Sequence, residues 1–173
     1  MMGLVMYNLS DIQKGIQFGH AVVEYAEKYF AHPDYNQWSK NDKTFIILNG
    51  GTSNRMGYDE YSEYLTADEN KFGTMEKHKL ELELRGFKHA VFYEPDLNNA
   101  TSAIVFLVDD RVWDKKNFPD FNFTFKPDGN QLTFVNPEEK ELYMAWRNKF
   151  STDEIETNKI IWFREWLSQF RLA

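Results

Sequence analysis

The sequence contains no cysteine and no long apolar run, and each absence excludes a class of structure. Without cysteine, the chain of 173 residues has no disulfide, no zinc–cysteine cluster and no thiol nucleophile. A membrane-spanning helix needs about 18 consecutive apolar residues, and no such run is present. The N-terminus also lacks the basic, apolar and small-residue segments of a secretory signal. We therefore expect a cytoplasmic protein with no membrane contact.

The charge of the chain is acidic, whereas its apolar content is that of a folded protein. Asp and Glu number 27 against 20 Lys and Arg, which gives a formal net charge of -7. This balance disfavours nonspecific adhesion to nucleic acid or anionic membranes, although it is compatible with a local basic patch. Apolar residues make up 42% and aromatic residues 17% of the sequence, which predicts one main folded unit with a substantial core.

Hydrophobic periodicity predicts alternating strands and helices in the first part of the chain. Apolar runs predict strands, and apolar residues at helical spacing predict helices. The predicted order is strand 4–7, helix 12–30, strand 44–48, helix 75–85, strand 90–93 and strand 103–108. The segment between the last two strands is short for a crossover helix, so we expect them to be antiparallel neighbours. The predicted fold class is α/β, with a mixed sheet of about four strands and helices on both faces.

Other segments are predicted to be connections or additions to this core. Residues 38–42 are interpreted as a polar connection, and 52–73 as an irregular insertion with one short helix at 59–65. The charges of the helix at 75–85 are expected on a solvated face. The predicted domains are a core at 1–109 and an extension at 110–173 packed on it. The extension is predicted to hold an aromatic hairpin (121–125 and 131–135, joined at Asp128-Gly129) and two helices (137–150, and one beginning at a capping box from Ser151 to Glu154).

The most informative motif lies on the first predicted helix. Gln17 and His20 form a Q-x-x-H-A pattern, and Ser10 or Asp11 is placed to cap the helix start. A strand end that meets a helix start is a frequent position for a ligand. A histidine with an ordinary structural hydrogen bond is the alternative interpretation.

The order of elements and several short motifs resemble the type-2 peptidyl-tRNA hydrolases over roughly residues 1–109. The resemblance depends on Gln17-Phe18-Gly19-His20-Ala21, the strand at 45–48, the helix end Arg85-Gly86, and the strand, loop and strand at 90–108. Asn49-Gly50-Gly51-Thr52-Ser53 and Tyr93-Glu94-Pro95-Asp96 also resemble segments of uncharacterised proteins of large tailed phages. The hydrolase resemblance implies water attack on the ester that joins a peptide to tRNA.

The resemblance also implies roles for particular residues. Gln17 and His20 match the family motif directly. Glu94 or Asp96 falls near its acidic loop residue, and Thr101 near its hydroxyl residue. The position of the family's lysine is occupied by Gln13, with Lys14 one residue later. The implied catalytic groups are Lys14 as the cation, Glu94 or Asp96 as the base, and Gln17, His20 and Thr101 as hydrogen-bonding groups. The predicted substrate-binding residues are Gln13, Gln17, Asn49 and Asn98; the segment that begins at Asn49 could bind phosphate through its backbone amides or form a plain turn.

Several alternatives stay open at this stage. Glu94-Pro95-Asp96 is also typical of a plain turn, and Lys14 of a surface lysine. The displaced lysine, the acidic charge and the aromatic extension favour a second function, a noncatalytic phage-encoded protein that binds a host or defence component. The expected partner is thus tRNA or a protein. Trp162 and Trp166 either anchor the last helix or form a homodimer surface. The histidines lack metal-ligand spacing, so no metal and no cofactor is predicted.

Overall fold

A four-stranded mixed sheet organises the first part of the chain. The computed structural model describes residues 1–54, 72–116, 123–125, 132–134, 136–150 and 154–173. The strands β1 (Met2–Met6), β2 (Ile46–Gly51), β3 (His89–Glu94) and β4 (Ala100–Phe106) are arranged in the order β2-β1-β4-β3. β1 pairs in parallel with β2 and antiparallel with β4, and β3 pairs antiparallel with β4. The predicted mixed sheet and the antiparallel pairing of its last two strands are confirmed.

Helices cover both faces of this sheet. Helix α1 (Asp11–Tyr29) packs on the face that carries Val5 and Val105, with Phe18, Ala21 and Tyr25 buried against it. Successive residues of a strand point to opposite faces, so Leu4 lies on the other face. A Cβ atom at Gly50 would collide with the sulfur of Met75 and would lie 2.8 Å from Cβ of Leu4, so Met75 and Leu4 are on the same face. Helix α3 (Thr74–Leu84), which carries Met75, therefore packs on that second face. The prediction of helices on both faces is confirmed.

The start of α1 is fixed by a capping box. The Ser10 hydroxyl accepts a hydrogen bond from the Gln13 backbone amide at 3.4 Å. The Gln13 side-chain oxygen in turn accepts from the Ser10 backbone amide at 3.0 Å and from its hydroxyl at 2.8 Å. These bonds satisfy amides that the first helical turn would otherwise leave unpaired. Of the two predicted caps, Ser10 is the residue used.

The connection from α1 to β2 is helical, so the prediction of a polar connection at 38–42 is wrong. Helix α2 (Pro33–Gln37) begins at His32-Pro33 and continues into a π-helical segment, Trp38–Asp42. Proline ends α1 but suits the first turn of the next helix, because that turn needs no amide donor there. Trp38 is buried, and its indole donates to the Thr44 carbonyl at 3.2 Å. Burial of this one large ring explains why a segment of polar sequence is ordered.

Two strands extend beyond the predicted residues. β2 continues through Gly51 because Asn49 and Gly51 still pair with β1, across a shift in register. β4 begins at Ala100 rather than at 103, because Ala100 and Thr101 pair with the end of β3. In both cases small or polar residues that typically end a strand are kept in it by a neighbouring strand, which sequence periodicity does not reveal.

The second compact unit comprises Asp109–Gln169, whereas Phe170–Ala173 belong with residues 1–108. Its described elements are the hairpin β5 (Phe123–Phe125) and β6 (Leu132–Phe134), and the helices α4 (Pro137–Phe150) and α5 (Glu154–Ser168). Trp166 is buried in α5 and stacks on Trp162 at 5.6 Å between ring centroids.

The predicted insertion after Asn54, the turn at Asp128-Gly129 and the cap at Ser151 lie outside the described residues. No helix of the described ranges is long and apolar enough to cross a membrane.

An acidic residue of α3 links this helix to the start of β3. Glu83 lies 3.3 Å from the Lys79 ammonium and 3.7 Å from Nε2 of His89. Burial raises the pKa of Glu83, but the contact with His89 and the charge of Lys79 outweigh it, so the pKa is held below the ordinary value of 4.5. A carboxyl group with a lowered pKa stabilises the folded state above its unfolded pKa, and this contribution is lost as the pH falls through the folded pKa.

Replacing Glu83 with glutamine is therefore expected to lower the free energy of unfolding at pH 7 by no more than about 1 kcal/mol. The difference between variant and parent should be smaller at pH 3 than at pH 7, because the parent carboxyl group loses its charge as the pH falls through its folded-state pKa. Urea denaturation of both proteins at the two pH values measures this, with Glu81→Gln on the same helix as the control. An equal loss at both pH values would mean that the effect arises from packing and not from charge.

Candidate functional site

An irregularity in the β3–β4 pairing prepares the candidate site. Phe92 pairs with Ala103, whereas the next residue, Tyr93, pairs with Thr101, so Ser102 is an extra residue on β4. Such a β-bulge turns one side chain away from the regular alternation. Here it places the hydroxyl of Ser102 on the face covered by α1, where it donates to Gln17.

Gln17 is the centre of the site. Its side chain is buried and uses both ends of the amide. The amide nitrogen donates to the Glu94 carboxylate, and the amide oxygen accepts from the Ser102 hydroxyl at 2.7 Å. Ser102 is fully buried and also lies 3.2 Å from the Phe92 carbonyl. The first helix and the strand–loop–strand segment, 77 residues apart in the sequence, are thus joined by one polar side chain.

The backbone after β3 holds Glu94 from the other side. One carboxylate oxygen accepts from the Gln17 amide, and the second accepts from the Asp96 backbone amide at 3.3 Å. This second bond caps a 3₁₀ turn, Pro95–Leu97, which Asn98 ends in a left-handed conformation with φ of 54°. The predicted turn at Glu94-Pro95-Asp96 is therefore present, and it positions Glu94. Asp96 and Asn98 are exposed on this turn.

His20 lies one helical turn after Gln17 and contacts the same strand. Its ring stacks on Phe92, with centroids 4.5 Å apart and an angle of 19° between the planes. Phe92 and Glu94 are two residues apart on β3, so their side chains point to the same face of the sheet, about 7 Å apart along the backbone. His20 is exposed, and none of the described residues hydrogen-bonds to its ring nitrogens. It can therefore donate to or accept from a bound molecule.

The two candidate residues at the start of α1 have different environments. Lys14 precedes Gln17 by three residues and so lies near it on the helix surface. Its ammonium pairs with Asp11 at 3.6 Å; the Lys14 side chain is 15% exposed and that of Asp11 99% exposed. Gln13, at the position where the resemblance implies a lysine, uses its side-chain oxygen within the capping box at Ser10, and no side-chain hydrogen bond joins it to Gln17 or Glu94.

Thr101 lies on the opposite face from the rest of the site. Cross-strand partners share a face, and Thr101 pairs with Tyr93, whose ring lies 6.0 Å from the Lys79 ammonium of α3. The Thr101 hydroxyl is buried and has no hydrogen-bond partner among the described residues. The bulge therefore brings Ser102, and not the predicted hydroxyl residue Thr101, to the face where Gln17 lies. Two adjacent hydroxyl residues were visible in the sequence, but the extra residue in the strand was not.

Asn49 is also separated from Glu94. It lies on β2, and β3 is three strands away across the sheet, about 14 Å at ordinary strand spacing. Its side-chain oxygen accepts from the Gly51 amide at 2.9 Å, and its backbone amide donates to the Arg171 carbonyl. These bonds give Asn49 a local role at the end of β2.

Lys14, His20, Glu94 and Thr101 are all described, and no hydrogen bond or ion pair joins any two of them.

A second polar cluster, which sequence reasoning missed, lies at the start of α3. The Glu76 carboxylate is 1% exposed, so the expectation that the charges of this helix are solvated is wrong for this residue. It accepts from the Ser53 hydroxyl and, at 3.0 Å, from the Asn54 backbone amide. Ser53 in turn accepts from the Thr101 backbone amide at 2.8 Å. The first turn of a helix favours a carboxylate, and here that carboxylate holds the residues after β2.

Comparisons with known proteins leave the hydrolase resemblance as a prediction. No protein-family model, no curated protein and no solved structure matches this chain. Within the described ranges, no group of three or more histidine, aspartate or glutamate side chains is placed to hold a metal ion. The ionisable groups at or near the Gln17 site are the Glu94 carboxylate, the His20 imidazole and the Lys14 ammonium.

Proposed function

We propose that this chain is a peptidyl-tRNA hydrolase-like protein that hydrolyses the ester between peptide and tRNA at the Gln17 site. The observation that carries the proposal is the bond from Gln17 to Glu94. It joins the Q-x-x-H-A helix to the acidic loop, which are the two segments on which the resemblance depends. The predicted element order around them, β-α-β-α-β-β, supports it further.

Different groups at the site can perform the separate steps of ester hydrolysis. Glu94 is partly exposed and is held by two donors, so its carboxylate can orient and deprotonate a water molecule. His20 is exposed beside it and can donate a hydrogen bond to the carbonyl oxygen that becomes negative during attack. In this mechanism Gln17 is a positioning residue, since both ends of its amide are already bonded.

Lys14 is the cation of the proposal, and its ion pair does not prevent this role. Its partner Asp11 is almost fully exposed, and exposed pairs contribute no more than about 1 kcal/mol. A phosphate or a developing oxyanion can therefore replace Asp11 at little cost. The side chain would only need to turn from the first turn of α1 toward the Gln17 site.

Hydrolysis of an N-acetyl-aminoacyl-tRNA by the purified full-length chain tests the proposal. We expect turnover by the parent protein and a loss of about tenfold or more in kcat/KM for Lys14→Met. Lys40→Met, the same change at an exposed lysine outside the Gln17 site, serves as the control and should retain parental activity. Absence of turnover by the parent at high enzyme concentration would refute the hydrolase function.

A second function, as a noncatalytic binding protein on the same fold, is favoured by the position of Thr101. Thr101, the hydroxyl residue that the resemblance implies, faces α3 instead of Glu94. The position where the resemblance implies a lysine holds Gln13, whose side chain is bonded within the capping box. This function predicts that the parent protein lacks hydrolase activity but binds one stoichiometric partner. Affinity capture from cells followed by mass spectrometry and RNA sequencing distinguishes a protein partner from tRNA.

A further inference from the structure

A groove runs along the free edge of β3, between the two helices that cover opposite faces of the sheet. β3 is the last strand in the sheet order, so one side of its backbone has no neighbouring strand among the described residues. The groove encloses about 450 Å³. Its floor is formed by β3, and its walls are formed by Glu24, Glu27 and Lys28 of α1 and by Lys79 and Glu83 of α3.

The backbone of β3 presents hydrogen-bonding groups to this groove. The His89 carbonyl lies 3.3 Å from the Tyr29 hydroxyl and 3.5 Å from the Lys28 ammonium, so it points away from β4. In an antiparallel pair, inward and outward groups alternate every second residue. Val91 therefore also directs its amide and carbonyl outward. An extended segment lying in the groove could bond to both groups of Val91.

The opposite edge of the same sheet already accepts an added segment. Leu172 forms an antiparallel bridge with Leu48 of β2. The Asn49 amide donates to the Arg171 carbonyl at 2.9 Å, and the Ala173 amide donates to the Ile47 carbonyl at 3.0 Å. Residues 171–173 of the chain thus cover the β2 edge. The β3 edge offers the same kind of backbone pairing.

The charges of the groove indicate which segment would fit it. On the α3 wall, Lys79 and Glu83 neutralise each other at 3.3 Å. On the α1 wall, Glu24 and Glu27 are both exposed, and neither forms an ion pair with a described residue. Lys28, on the same wall, directs its ammonium to the His89 carbonyl at 3.5 Å. Three carboxylates (Glu24, Glu27 and Glu83) therefore face two ammonium groups (Lys28 and Lys79), which leaves the groove with one net negative charge. A basic side chain of an incoming segment would meet these two carboxylates on one wall.

We propose that the free edge of β3 binds an extended, lysine- or arginine-containing segment of a partner protein as an added strand. Backbone bonds to Val91 would supply the pairing, and Glu24 and Glu27 would select basic side chains. This inference is independent of the proposed hydrolysis, because none of these three residues belongs to the Gln17 site. Loss of one activity would leave the other measurable.

The probe is a fluorescein-labelled heptapeptide in which lysine alternates with valine, titrated with the full chain and followed by fluorescence anisotropy. We expect saturable binding that weakens as salt is raised. The combined variant Glu24→Lys and Glu27→Lys should bind about tenfold more weakly or worse. Glu141→Lys, an exposed position on α4 that does not line the groove, should bind as the parent does.

Two altered peptides test the mechanism without changing the protein. A peptide with glutamate in place of lysine should not bind, and a peptide with alternate backbone amides methylated should bind at least about tenfold more weakly, because it cannot form the ladder. Failure of the lysine peptide to saturate at millimolar protein would overturn the proposal. So would equal binding of the glutamate or methylated peptide, or unchanged binding by the double variant.

Discussion

Replacing Glu94 with glutamine is expected to lower kcat/KM for hydrolysis of a peptidyl-tRNA analogue by about 100-fold or more. The substitution keeps the shape of the side chain but removes the negative charge that would orient and deprotonate water. The amide oxygen can still accept from the Asp96 amide, which the carboxylate caps at 3.3 Å, but the new amide nitrogen would face the Gln17 amide nitrogen, so the bond to Gln17 is lost. The expected loss of rate therefore combines the missing charge with the missing Gln17 bond.

Two further variants test whether the loss of rate in Glu94→Gln is due to the carboxylate at this position. Glu94→Asp retains a carboxylate but moves it back by one methylene, so an intermediate loss is expected. Glu141→Gln, the same change at an exposed position on α4, should leave the rate unchanged. Far-ultraviolet circular dichroism confirms that each variant is folded. If the parent is active and Glu94→Gln keeps its full rate, Glu94 is not the base.

The element pattern of the core could be predicted from the sequence because its signals are local. Ser10 and Gln13 form a capping box over three residues, and the apolar residues of α1 recur at helical spacing. The apolar runs of β1 and β4 correspond to strands buried on both faces. Each of these signals is contained within one segment, and the mixed sheet follows from their order and the short 94–102 connection.

The site could be predicted only in part because its geometry depends on pairing between distant segments. Gln17 was predicted from its motif and Glu94 as one of two acidic candidates with Asp96, and it is Glu94 that Gln17 contacts. One extra residue in β4 places Ser102 on the α1 face of the sheet and Thr101 on the α3 face, which is the reverse of a regular strand. This bulge depends on the pairing with β3, so it leaves no periodic signal in the sequence. The burial of Glu76 likewise depends on Ser53 and Asn54, which precede it by more than 20 residues.

Replacing Glu76 with alanine is expected to lower the free energy of unfolding by about 3 kcal/mol. The carboxylate is 1% exposed and accepts from Ser53 and from the Asn54 amide. Hydrogen bonds to a charged group contribute roughly 1.5–3 kcal/mol each, and removal of the acceptor leaves their donors unsatisfied. Alanine carries no charge, so the variant avoids the desolvation cost of burying a carboxylate, and this offsets part of the loss. The vacated volume adds a further cost, because the first turn of α3 packs closely on the residues after β2.

Urea denaturation followed by circular dichroism measures the effect, read as a shift of the midpoint at constant slope. Glu81→Ala, at an exposed position on the same helix, should cost no more than about 0.5 kcal/mol. Glu76→Gln should fall between the two, because its amide retains one acceptor and can donate to the Ser53 oxygen. If Glu76→Ala is no more destabilising than Glu81→Ala, the bonds from Ser53 and Asn54 merely balance the cost of burying the charge. The residues after β2 would then be held by the strand pairing and by Thr74, whose hydroxyl lies 2.8 Å from the Thr52 amide.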